Sequence, residues 1–242
     1  MTDIRRDQIN LRKLIGRWTT VTETHRQALG DGWDIAENLV WLHTSALQRI
    51  SRATGANPSE SDKATILLGA HTLNVYIEVL SLIVRGLFDV ASYLLRGSFD
   101  CQSLVYAVAK YEAQAEKFGR GKLKASAARK LHVKDLRAAS ETTLANKIDD
   151  RNKAEAKAAN VLAHASVTHV DKIIELSGTE ITPVITGRED SSECLNFWKV
   201  ALEHEDSTLG WLHAFRNQVL GPAWKKTYLV TNGRFRTWFT TN

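Results

Sequence analysis

Glu78, Arg85 and Asp89 sit at offsets of seven and four in an otherwise apolar stretch, with Asn74 four residues before Glu78 and His71 seven before it. At helical pitch these side chains share one face. Charges on so apolar a helix need partners, and two chemistries fit. One is a buried ion pair of Arg85 with Glu78 or Asp89 that fixes helix register. The other is a pocket in which Arg85 holds an anion while a carboxylate orients a base. Further on, His164 and His169 are five residues apart, which turns them about 140° from each other, unlike the same-face pair of a metalloprotease helix. His164 is the candidate general base; the alternative is a satisfied core histidine. Glu203-His204-Glu205-Asp206 has the composition of a metal cluster, but consecutive helical residues diverge. A solvated charged turn is expected there, and neither metal nor cofactor is expected anywhere.

Basic residues form a second kind of candidate. Between Lys117 and Arg137 eight cations (Lys117, Arg120, Lys122, Lys124, Arg129, Lys130, Lys134 and Arg137) stand against Asp135 alone. No acid follows Asp206, while Arg216, Lys225, Lys226, Arg234 and Arg236 do. Such asymmetry suits a molecule with one phosphate-attracting face, and Lys130, Lys134 and Arg137 share a helical stripe able to follow a nucleic-acid backbone. The alternative is a solvated surface. Near the C-terminus Trp224, Trp238 and Arg236 could stack on bases, or could form a protein interface.

Motifs for nucleotide-dependent, serine-hydrolase and zincin chemistry are missing: the chain has no GxGxxG, GxxxxGK[ST], GxSxG or HExxH. Composition is that of an ordinary globular protein, 43% hydrophobic and 24% charged with a net charge of +5, which excludes collagen-like and low-complexity classes. Cys101 and Cys194 stand far apart and build no disulfide or zinc framework. The first residues show no secretory pattern, so a cytoplasmic protein without membrane partner is expected. The most apolar stretch, 64–84, carries His71, Asn74 and Glu78 and is expected to be a buried bundle helix.

Helical periodicity positions these residues. The spacing predicts helices over 3–28, 33–53 and 62–95, with Ser59 or Ser61 as N-cap of the third and Gly97 as its breaker. Ser98 then caps a helix running to Phe118, Gly119-Arg120-Gly121 turns the chain, and helices follow over 126–140, 142–177 and 190–220. The segment 181–186 is expected to be extended or looped. Beyond Gly221-Pro222, two alternating runs flank Asn232-Gly233, the dipeptide best suited to a type I′ turn, and predict a β-hairpin. Its apolar face (Tyr228, Val230, Phe235, Phe239) needs a cover, and a second copy of the chain would supply one. The expected architecture is an all-α bundle of six to eight helices over 1–222 with a C-terminal β-hairpin over 223–242, assembled as a homodimer.

Three segments, Ile83-Val-Arg85-Gly-Leu-Phe-Asp89-Val-Ala, Ala115 to Lys130 with its Gly121-Lys-Leu-Lys124-Ala-Ser126-Ala-Ala-Arg129, and Val161-Leu-Ala-His164-Ala-Ser166, together resemble an uncharacterised bacterial family of helical proteins. That family is distantly similar to abortive-infection and HEPN-type bundles, some of which cleave RNA. The resemblance implies a role in bacterial or phage defence or stress. HEPN nucleases carry an Arg-x(4–6)-His pair, the arginine on the scissile phosphate and the histidine in proton transfer. Here Arg151 lies thirteen residues before His164, and no histidine follows Arg216-Asn217 at that spacing. The expected function is therefore a non-catalytic helical module binding protein or nucleic acid, RNA included. The alternative is a metal-independent RNase built on Arg85 and His164, with Glu78 and Asp89 beside them. The nucleic-acid candidates are Lys122, Lys124, Arg129, Lys130, Lys134, Arg137, Arg234 and Arg236.

Overall fold

The computed structural model describes residues 11–142, 145–146, 148–150, 174–177, 180–183 and 189–242. They form an all-α bundle: α1 (Leu11–Leu29), α2 (Asp31–Thr54), α3 (Glu60–Val84), α4 (Phe88–Lys110), α5 (Glu112–Gly119), α6 (Ala125–Ala138) and the long α7 (Ser191–Thr241). A short antiparallel ribbon, β1 (Ile174–Ser177) with β2 (Glu180–Pro183), pairs Ile174 with Pro183. Of the helix expected over 142–177, most, including 151–173, lies outside the described residues and 174–177 form a strand, whereas 181–183 are extended as anticipated.

Apolar residues at alternating three- and four-residue steps make the core. On α2, Ile35, Leu39, Leu42, Ala46 and Ile50 are buried, one stripe of a 3.6-residue helix. On α7, Trp198, Leu202, Glu205, Leu209 and Leu212 continue the same pattern, with a carboxylate occupying an apolar position. Two indoles bolt the pair together, Trp198 donating to the Gly32 carbonyl at 2.9 Å and Trp224 to that of Leu42 at 3.0 Å. Ser59 caps α3 as expected, its hydroxyl accepting from the Asp62 amide at 3.0 Å.

α3 ends earlier than its hydropathy suggests. Gly86 adopts φ 72°, its amide bonds to Ile83 and that of Leu87 to Leu82, both at 2.9 Å. These are the two hydrogen bonds of a Schellman motif, in which a glycine takes the left-handed position. The expected helix over 62–95 is therefore two, and Gly97 and Ser98 lie inside α4 rather than at a boundary. The same pair of bonds closes α5 at Gly121 (φ 66°) and α6 at Ser140 (φ 64°).

The C-terminal β-hairpin is not there. Residues 222–241 continue as helix after a break at Gly221, whose φ is 76°, with Pro222 supplying the preset φ of a helix start. This second limb of α7 folds back antiparallel along the first: Tyr228 donates to the Asp206 carbonyl, Asn232 to both Asp206 carboxylate oxygens at 2.7 Å, and Lys199 lies over the Phe239 ring. Trp224, Tyr228, Thr231, Phe235 and Trp238 are buried, a 4-3-4-3 spacing that only a helix brings to one side. Tyr228 and Phe235 thus find their cover in the chain's own core, while Val230 is 58% and Phe239 39% exposed. The hairpin argument for a homodimer falls with the hairpin.

Candidate functional site

α6 is oriented by its single acid. Asp135 turns inward to the end of α4 and its cap, where one oxygen, Oδ2, accepts from the Tyr106 hydroxyl at 2.7 Å, the Tyr111 hydroxyl at 2.6 Å and Lys110 Nζ at 3.0 Å. Burial works against the carboxylate's charge, but the hydrogen bonds from Tyr111, Tyr106 and Lys110 outweigh it and hold its pKa down at about 2. The partners respond in kind. Burial pushes the Tyr106 phenol up to about 12. For Lys110 burial works against the charge, yet Tyr106 and Asp135 overcome it and raise the ammonium well above its usual range.

Next to this lock His132 is fully enclosed, stacked on Tyr106 with centroids 4.1 Å apart and edge-on to Trp211 at 4.9 Å. Neither of its ring nitrogens has a hydrogen-bond partner among the described residues. Burial lowers its pKa to about 4, so the ring is neutral at pH 7. Ala128, His132, Val133 and Leu136 also face inward.

With that face fixed, geometry dictates the other. Lys130 and Lys134, together with Lys122 and Lys124 just before α6, are exposed and make no ion pair with a described residue. Arg137 is exposed and reaches Asp149 at 2.7 Å; Arg129 is partly buried on Asp100 at 2.8 Å. Arg234 and Arg236 are exposed on the second limb of α7, a different element, with Arg236 Nε donating to the Asn232 side chain at 2.9 Å. The structure thus gathers Lys122, Lys124, Lys130, Lys134 and Arg137 on and beside one helix and leaves Arg129 to an internal pair.

The stripe on α3 is corrected. Arg85 is the C-cap of α3, exposed like Glu78, His71 and Asn74, and Asp89 lies half-buried in the first turn of α4. Gly86 separates the arginine from the aspartate, so the two belong to different helices and the buried Glu78–Arg85–Asp89 pairing does not form. His164, the other half of the expected nuclease pair, lies outside the described residues, as does His169. Arg216 is a brace: its guanidinium donates to the Ser61 hydroxyl at 2.7 Å and the Ala109 carbonyl at 3.0 Å and lies 3.2 Å from Asp62.

Sequence reasoning missed the polar residues buried most deeply. The Glu203–Asp206 segment is no solvated turn: His204 and Glu205 are buried within α7, and Glu205 bonds His43 Nδ1 on α2 at 2.5 Å. The signal was there, because His43 and Glu205 both occupy apolar-stripe positions of their helices. Nearby Tyr76 is wholly buried with no hydrogen-bond partner for its hydroxyl among the described residues, and burial raises its pKa. Among the described residues no group of three or more His, Cys, Asp or Glu side chains is placed to hold a metal ion.

Fold and site together define a helical bundle presenting one locked basic helix. Neither a protein family, nor a curated protein, nor a solved structure matches the chain.

Proposed function

We propose that the protein is a non-catalytic binding module that holds a nucleic-acid backbone along α6. One observation carries the reading: the only acid of the 117–137 segment is drawn inward by three hydrogen bonds, leaving Lys130, Lys134 and Arg137 as an outward stripe flanked by Lys122 and Lys124. The stripe spans about 10 Å of helix, roughly three phosphate steps on one strand of a duplex. Contacts of this kind grip phosphates and read no sequence.

The experiment is a filter-binding titration with single- and double-stranded RNA and DNA over a salt series. Counterion release makes log affinity fall with log salt by about 0.7 to 0.9 per phosphate engaged. The triple reversal Lys130→Glu, Lys134→Glu and Arg137→Glu should flatten that slope by roughly two to three while leaving helical content intact. Absence of binding at ~50 mM salt, or an unchanged slope in the variant, overturns the reading and transfers the face to a protein partner.

A further inference from the structure

We propose that a cleft beside Arg85 is a binding site for a small amphipathic anion, an aliphatic carboxylate with its chain inside and its head on the guanidinium. The site is separate from α6 and does not depend on the reading given above.

The cleft follows from how three helices meet. α1 is anchored to the bundle through Val21, His25 and Leu29, all buried, with the His25 ring bonded to the Val84 carbonyl at 3.0 Å. Between α1, α2 and α3 lies an open space of about 880 Å³, within the size range of small-molecule sites. Its walls are Trp33, Val40, Ile77, Leu80 and Val84, with Trp198 from α7 at its base. Trp33 and Trp198 stack with centroids 5.6 Å apart, which gives the apolar wall a rigid end. Ile77 remains 45% exposed although it belongs to the most apolar helix of the chain.

Charge selects the ligand. Among the described residues three ionisable side chains line the cleft: Glu23, Glu37 and Arg85. Both carboxylates already accept a hydrogen bond from within the chain, Glu37 from the Trp33 indole at 2.7 Å and Glu23 from the Gln27 amide at 3.2 Å. A further cation, Arg26, lies over the Trp33 ring at 5.1 Å. Arg85, by contrast, makes no hydrogen bond or ion pair with a described residue, and its guanidinium carries five donors. Apolar walls together with one unsatisfied guanidinium match an alkyl chain ending in a carboxylate, because Arg pairs with carboxylates bidentately. The Schellman turn at Gly86 fixes where that guanidinium starts.

Calorimetric titration of the full chain with octanoate and decanoate, both kept below micelle formation, tests the assignment. Decanoate should bind about tenfold tighter than octanoate, because two more methylenes leave water. Decylamine and decanol should bind at least tenfold more weakly than decanoate. Arg85→Gln, at an exposed cap, should erase the advantage of decanoate over decanol without changing the melting temperature. Ser81→Trp, one turn before Arg85 on the cleft wall, should abolish binding of all the alkyl probes. The proposal is overturned if decanoate shows no saturable heat at millimolar concentration, if decylamine binds as tightly as decanoate, or if Arg85→Gln leaves the carboxylate preference unchanged.

Discussion

Two carboxylates, Glu205 and Asp135, each pin one helix to another, and they do so in opposite surroundings. Among the described residues Glu205 meets a single partner, His43, in a junction only 1% and 0% exposed. Asp135 gathers two phenols and an ammonium at the edge of the bundle, its own side chain 17% exposed. The dry pair sits on the seam between α2 and α7, where either group left alone would be an unpaired buried polar or charged side chain. The wet cluster costs less to form and does something the dry one cannot, because turning the one acid inward leaves only basic charges on the outward face of α6 itself. Burial makes the first a fixture of the fold; partial exposure makes the second a means of presenting a surface.

The sharpest way to break this comparison is to remove one partner from each junction. Glu205→Leu should cost about 3 to 5 kcal/mol in urea unfolding, since it strands His43 in the core. The double variant His43→Leu with Glu205→Leu should recover much of that loss, because an apolar pair suits an apolar seam. If the double variant is no more stable than the single one, the seam is not the dry place its burial indicates.

The second prediction uses protons. His132 titrates near 4 in the folded protein against about 6.5 unfolded. Below pH 6.5 the unfolded chain takes up a proton that the folded chain refuses, so stability falls with pH down to about 4, by roughly 3 kcal/mol in all. Asp135 acts lower. Its folded pKa of about 2 lies below the ordinary carboxylate value, so the stability it contributes is present above pH 4 and disappears as pH falls from 4 toward 2, about 2 kcal/mol in total. Urea midpoints over this range should show both phases, and His132→Phe should remove the first alone. Loss of neither phase, or of both together, would contradict the separate titration of ring and carboxylate.

How far these junctions were legible in the sequence depends on how local their causes are. The Ser59 cap, the Gly119-Arg120-Gly121 turn and the basic run before Arg137 are written within a few residues, and the helices 31–54 and 125–138 and the end of α1 follow the expected bounds with small errors, the expected start of α1 at residue 3 lying outside the described residues. Gly86 was hidden because the run from Ile83 to Phe88 keeps helical hydropathy straight through a Schellman stop. The second limb of α7 was misread because Tyr228-Leu-Val-Thr also alternates, and Asn232-Gly233 offered a turn the fold has no use for; Asn232 spends its side chain on Asp206 instead. The basic face could be seen, but not what orients it, since Tyr106, Lys110 and Tyr111 lie 24 to 29 residues before Asp135. The His43–Glu205 pair spans 162 residues. Only its misplaced polarity on an apolar stripe announced it.

Asp135→Asn probes the wet junction more gently. The amide keeps the shape but loses the charge-assisted bonds, which should cost about 2 kcal/mol and loosen the outward presentation of Lys130 and Lys134. Nucleic-acid affinity should then fall even though the variant gains a positive unit of net charge. Tighter binding by Asp135→Asn would show that bulk charge, and not the orientation of α6, governs that surface.

The smallest effect is expected at the end of α6. Ser140 takes the left-handed position of a Schellman turn, with φ 64°, where α5 and α3 use Gly121 and Gly86. A side chain there crowds the following carbonyl, a strain that glycine does not feel. Glycine also gives the unfolded chain more freedom, which offsets part of the relief. Ser140→Gly should therefore stabilise the protein by only about 0.5 kcal/mol. The distribution of that gain is what bears on the two junctions. If α6 opens independently of the α2–α7 seam, native-state hydrogen exchange should slow for the amides of 125–138 and remain unchanged for those of α2. Equal slowing in both would mean that the basic helix and the dry seam unfold as one unit, and that the wet junction is as integral to the fold as the buried one.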